Sequence, residues 1–215
     1  MTDFQNVLGT ILIGLQLLCA LTALIKFNTF KERIWKGFAI YVIVIFLLEL
    51  VSKVALMQHP ALRKYYYDFF VIPFEFFFLY WMYSHSLKNK KLFVCCSVIY
   101  ALSFVPHFLL FKEPPLVYSF SYVMGNLMLL VLVCMEFYNQ IKTDKIIFFN
   151  RNMMFYVNTG VILLYIGSLP FFTFYGLLLK EPALWNDYYL FFMMANNIMY
   201  LLFTAAFIWG RPNIP

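Results

Sequence analysis

Apolar residues continue along this chain for twenty or so positions at a stretch, and short polar gaps separate the stretches. They predict helices at residues 4–27, 35–57, 66–87, 92–111, 117–141, 152–179 and 187–209. A helix needs about 20 mostly apolar residues to cross a bilayer. A membrane barrel would instead show short strands alternating apolar with polar. Runs such as Tyr41-Val-Ile-Val-Ile-Phe-Leu-Leu are continuous, and helices satisfy their own backbone groups in lipid. The gaps hold about ten residues at most, too few for a soluble domain. The expectation is an all-α polytopic membrane helix bundle of seven transmembrane helices, one domain over residues 1–215.

Composition agrees. Hydrophobic residues make up 64% of the chain and charged ones 12%, against roughly a quarter charged in soluble domains. The net charge of +6 raises the question of a nucleic-acid partner, but its distribution argues for insertion instead. The gaps after the first, third and fifth spans, with the C-terminus, hold 11 Lys and Arg: Lys26, Lys31, Arg33, Lys36, Lys88, Lys90, Lys91, Lys142, Lys145, Arg151 and Arg211. The opposite side holds 5: Lys53, Arg63, Lys64, Lys112 and Lys180. Positive loops stay cytoplasmic. The N-terminus is therefore expected outside and the C-terminus in the cytoplasm, with the basic loops against anionic lipid headgroups. Tyr and Trp cluster at the span ends, as residues at the headgroup level do.

The first span lacks the positive leading region of a signal peptide and is too long for one, so it reads as a retained helix. Cys19, Cys95, Cys96 and Cys134 all fall within spans, with no Cys-x-x-Cys pair; such residues behave as small apolar groups.

The outer turns resemble one another. Leu109-Leu-Phe-Lys-Glu-Pro-Pro-Leu116 matches Leu177-Leu-Leu-Lys-Glu-Pro-Ala-Leu184 at six of eight positions, and residues 55–62 share the Leu, the Pro and the final Ala-Leu. One reading is convergence on a good helix start, since Pro suits a first helical turn. The other is one leading helix followed by three repeated hairpins, as repeats build transporters.

Ionisable groups at membrane depth are costly and mark candidate sites. Glu49 and Glu75 lie about a dozen residues from their span ends. Asn126 and Asn197 fall at a similar depth by residue count, so a polar layer at Glu49, Glu75, Asn126 and Asn197 is expected. Helical spacing adds Lys53 to the Glu49 face and Asp68 to the Glu75 face. It also groups Tyr122 with Asn126, Asn158 with Tyr165 and Ser168, and Asn196 with Tyr200 and Thr204. The candidate ligand- or proton-binding residues are thus Glu49, Lys53, Glu75, Asn126, Asn158, Asn196, Asn197 and Tyr200. The competing reading is that these groups hydrogen-bond helices together. Pro73, Pro106 and Pro170 predict kinks. His59, His85 and His107 do not cluster, so no metal, haem or other cofactor is expected, and no nucleophile-base pair suggests catalysis.

Phe155-Tyr-Val-Asn-Thr-Gly-Val-Ile-Leu-Leu-Tyr-Ile-Gly-Ser and Asn197-Ile-Met-Tyr-Leu-Leu-Phe-Thr-Ala-Ala-Phe resemble a group of uncharacterised seven-helix integral membrane proteins of Bacteroidota, often encoded beside sensor histidine kinases. The resemblance implies a multi-pass protein of the bacterial inner membrane. It also implies a partner membrane protein such as a histidine kinase, besides membrane lipids. Two main functions follow as expectations: a non-enzymatic sensory or accessory subunit, or a small proton-coupled or solute transporter using Glu49 and Glu75. A lipid-modifying enzyme is the remote third.

Overall fold

The computed structural model describes residues 3–105, 115–143, 145–178 and 180–212. The helices are α1 Asp3–Lys26, α2 Arg33–Val54, α3 Pro60–Tyr66, α4 Ile72–Ser86, α5 Lys90–Leu102, α6 Pro115–Lys142, α7 Met153–Val161, α8 Leu169–Thr173, α9 Tyr175–Leu178 and α10 Pro182–Trp209. Among the described residues there is no strand, only an isolated bridge between Asn152 and Arg211. Among the described residues, five stretches are long and apolar enough to cross a membrane: Phe4–Thr29, Arg33–Val54, Phe120–Lys142, Met153–Thr173 and Pro182–Trp209. Residues 60–86 are helical throughout, but tyrosines, Asp68, Glu75 and two basic residues dilute their apolar character. Helix α5 has 13 residues. Residues 106–111 of the expected 92–111 span, with Pro106, His107 and most of the turn at 109–116, lie outside the described residues.

The helix starts fall earlier than the apolar pattern alone indicates. α3 begins at Pro60 and α10 at Pro182, each with Pro in the first turn, where its missing N–H breaks no bond. At the other end of the bundle, side-chain caps begin two helices. Asn89 accepts from the Lys91 amide, and Asn152 accepts from Met154 and Phe155.

Two π-helical turns interrupt the rods, at Tyr67–Val71 and Ile162–Ile166. In the first, the Ile72 amide bonds back five residues to the Tyr67 carbonyl. In the second, the Gly167 amide bonds to the Ile162 carbonyl over 3.2 Å. A proline follows each, Pro73 and Pro170. A proline inside a helix donates no hydrogen bond and its ring crowds the carbonyl four residues back. The wider turn makes room for that ring. The expected kinks are therefore expressed as one extra residue per turn upstream of each proline.

The extra residue changes which side chains share a face. A seven-residue step keeps its face only in an unbroken α-helix. Across the first π turn the earlier segment rotates by about 100°. Asp68 therefore does not join Glu75 as expected; it lines an adjoining crevice with Tyr100 and Ser121, which shares Ile72 and Tyr122 with the cavity that Glu75 lines.

The helices close into a ring. α1 packs on α2 and on α10, α2 on α4, α4 on α6, and α7 on α10. α5 packs across α4 and α6. Phe76 is fully buried on α4, with the rings of Tyr100, Tyr122 and Tyr165 5.0–5.7 Å away. Gly125 of α6 lies flat against it: a methyl group there would stand 2.7 Å from the Phe76 ring. Small residues permit such close helix contacts in lipid. Outward faces are apolar too. Val94, Val98 and Leu102 on α5, and Leu127, Val131 and Met135 on α6, are exposed at helical spacing. Gln16, Ser121, Asn126, Asn158 and Thr204, by contrast, are buried. That inversion suits a hydrocarbon solvent and would be costly in water.

Candidate functional site

A cavity of about 120 Å³ lies near the bundle axis, bounded by α1, α2, both π turns, α4, α6, α8 and α10. Its volume corresponds to roughly four water molecules at about 30 Å³ each. Glu49 from α2 and Glu75 from α4 both line it. They come within Coulombic range of each other.

Each carboxylate is held by a tyrosine from a π turn. Tyr67 donates its hydroxyl hydrogen to Oε2 of Glu49 over 2.7 Å. Tyr165 donates to Oε2 of Glu75 over 2.9 Å. A hydrogen bond within a protein contributes about 0.5–1.5 kcal/mol. The π turns are thus what aims the two donors, and such turns recur at functional sites. Gln16 of α1 and Tyr200 of α10 complete the polar wall and lie in contact. Tyr122 also lines the cavity, and its hydroxyl meets the Ser168 hydroxyl at 3.2 Å.

Above Glu49 sits a basic pair outside the lining. The Arg63 guanidinium lies 5.8 Å over the Tyr67 ring and donates from Nε to Ser52 Oγ at 3.0 Å. Lys53 donates from Nζ to the Gly9 carbonyl at 3.4 Å. Both cations are within Coulombic range of Glu49. No Lys, Arg or His is among the described residues lining the cavity. Two carboxyl groups, hydroxyls and amides supply its polar atoms, with Lys53 and Arg63 acting on Glu49 from outside the lining, a combination suited to a proton or a small cation. Among the described residues, no group of three or more His, Cys, Asp or Glu is placed to hold a metal ion.

The structure divides the sequence candidates. Glu49, Glu75, Asn196 and Tyr200 line the cavity. Lys53, Asn126, Asn158 and Asn197 do not. Asn126 and Asn197 turn back on their own helices, donating to the Tyr122 and Met193 carbonyls at 3.1 and 2.8 Å. Asn197 also reaches the Leu8 carbonyl of α1 at 3.4 Å, a bond between helices. The amide of Asn158 is buried and has no hydrogen-bond partner among the described residues. The expected single layer of Glu49, Glu75, Asn126 and Asn197 is thus a carboxylate cavity with Asn196 in place of its neighbour, and equal depth did not imply equal facing.

Two polar lining residues, Gln16 and Tyr67, were not among the sequence candidates. Gln16 is a polar group in mid-span, a visible signal. Tyr67 gave none, because its facing depends on the π turn.

No known protein family, characterised protein or solved structure matches the chain.

Proposed function

We propose that this protein is a small membrane carrier coupled to protons or a small cation, with Glu49 and Glu75 as the binding groups. The carrying observation is the convergence of two carboxylates from separate helices on one cavity, each held by a π-turn tyrosine. A buried carboxylate is an expensive way to hold helices together. Two sharing a cavity repel unless a cation or a proton comes between them. Both π turns bound the cavity, and such turns recur at functional sites.

In this reading the chain crosses a bacterial inner membrane seven times. Residues 60–86 and the stretch beginning at Lys90 supply the third and fourth spans, with the N-terminus outside. Support for the orientation is the bias of Lys and Arg toward the loops after the first, third and fifth spans. An accessory subunit would share that outline and the basic face, but would not explain the paired carboxylates.

The experiment is ion flux in proteoliposomes under an imposed pH gradient, with a pH dye inside. Wild-type protein should dissipate the gradient above empty vesicles. Glu49→Gln and Glu75→Gln should each reduce the flux at least tenfold, with Tyr67→Phe falling between. Equal flux from the double variant and the wild type would sink the carrier reading.

A further inference from the structure

A second cavity, of about 440 Å³, opens at the opposite end of the bundle. It lies where the start of α2, the end of α4, the end of α6 and the start of α7 meet. It shares no lining residue with the carboxylate cavity. Arg33, His85 and Lys88 line it, and so do Glu32, Glu136, Gln140 and Asn152.

The acidic wall is built from the backbone outward. Asn152 commits its Oδ1 to the Met154 and Phe155 amides as a helix cap. Its Nδ2 must therefore donate, and it does so to Gln140 Oε1 at 3.3 Å. Gln140 in turn donates from Nε2 to Glu136 Oε1 at 3.4 Å. The cap thus fixes the direction of the chain, which ends with a donor facing a carboxylate. Glu136, Gln140 and Asn152 are all buried, with 1–6% exposure. A backbone bond from the Arg211 amide to the Arg151 carbonyl at 2.6 Å ties the C-terminal segment beside this wall, and Pro212 joins the lining.

One of the basic lining residues carries an independent mark. Lys88 has φ of 53°, the one non-glycine residue with positive φ among those described. It follows α4 in a capping turn, with the Asn89 amide bonded to the Ser84 carbonyl at 2.9 Å. Glycine is the favoured residue at that position. A lysine held there at a conformational cost, on the wall of a cavity, is the kind of strain that accompanies function.

An ordinary anion would meet Glu136 and Glu32; an ordinary cation would meet Arg33 and Lys88. We infer that this cavity binds a group bearing both charges, a phosphoethanolamine, with its phosphate toward Arg33 and Lys88 and its ammonium toward Glu136. Arginine forks match phosphate oxygens, and lysine adds a point charge. The same end of the bundle carries the surplus of Lys and Arg, where lipid phosphates gather. Phosphatidylethanolamine of the membrane and soluble glycerophosphoethanolamine both present this chemistry.

The test uses the full chain in nanodiscs of phosphatidylglycerol alone or of an equal mixture with phosphatidylethanolamine. Retained lipid is counted by native mass spectrometry and the thermal midpoint is recorded. A third arm adds glycerophosphoethanolamine to the phosphatidylglycerol discs. Enrichment of phosphatidylethanolamine in the mixed discs, with a raised midpoint, assigns the lipid; a raised midpoint in the third arm alone assigns the soluble compound. Lys88→Gly should weaken binding about tenfold, the loss of one charge-assisted contact, while the ligand-free midpoint holds or rises because glycine relieves the positive φ. Glu136→Gln should lose the preference for phosphatidylethanolamine over phosphatidylglycerol. Glu49→Gln should bind as the wild type does, which separates this site from the carrier reading. No preference in any arm, or full binding by Lys88→Gly, overturns the assignment.

Discussion

The Tyr165 hydroxyl donates to Oε2 of Glu75 across 2.9 Å, joining two positions 90 residues apart. Tyr165 occupies the second π turn, and Glu75 lies two residues beyond the proline that follows the first. The pair therefore depends on two local irregularities at once. Removing the hydroxyl leaves a buried carboxylate short of a donor, which costs about 1–3 kcal/mol. Tyr165→Phe and Glu75→Gln are each expected to lower the thermal midpoint in detergent. Their double variant should lose less than the sum, with a coupling of about 0.5–3 kcal/mol. Strict additivity in that cycle would mean that the bond contributes nothing.

Gly125 of α6 packs directly against the Phe76 ring of α4. Phe76 cannot give way, because tyrosine rings surround it. Gly125→Ala is expected to destabilise by about 1–3 kcal/mol through overpacking. It should also disturb the 2.8 Å bond from the Tyr80 hydroxyl to the Gly125 carbonyl. A thermal melt monitored by circular dichroism reads the first effect. An unchanged midpoint would show that α4 and α6 can separate freely.

Asn158 offers a change in the other direction. Both polar atoms of its side chain are buried without a hydrogen-bond partner among the described residues. Replacing such a group by an apolar one of similar shape is close to neutral or stabilising. Asn158→Leu is expected to keep or raise the midpoint and to leave flux in vesicles intact. A loss of flux at full stability would give Asn158 a place in the transport path.

The proposed orientation makes a labelling prediction. Gln58 and Lys90 are both exposed, near opposite ends of residues 60–86. In a background with Cys19, Cys95, Cys96 and Cys134 replaced by alanine, Gln58→Cys should react with an impermeant maleimide in intact cells. Lys90→Cys should react only after permeabilisation. The reverse pattern would invert the topology.

The helical fold was legible in the apolar runs because a helix in lipid needs only length and hydropathy to be stable. Glu49 and Glu75 were legible as well, since a carboxylate amid apolar residues stands out whatever it touches. The Glu136–Gln140–Asn152 wall was not singled out. Glu136 sits near a span end, where a carboxylate carries no signal of burial, and its relation to Asn152 crosses a turn. A regular 3.6-residue period carried through the first π turn puts Asp68 on the Glu75 face, whereas it lines the adjoining crevice.

Sequence by itself determined that the chain is helical, apolar on every side and built for a hydrocarbon solvent. It also determined that two carboxylates lie within the apolar runs. Only the tertiary structure decided what those carboxylates face. One extra residue in a turn rotates all that precedes it by about 100°. That extra residue brings Tyr67 to Glu49 and takes Asp68 away from Glu75. Such a rotation arises from the fit of proline rings into packed helices, which no periodicity along the chain records.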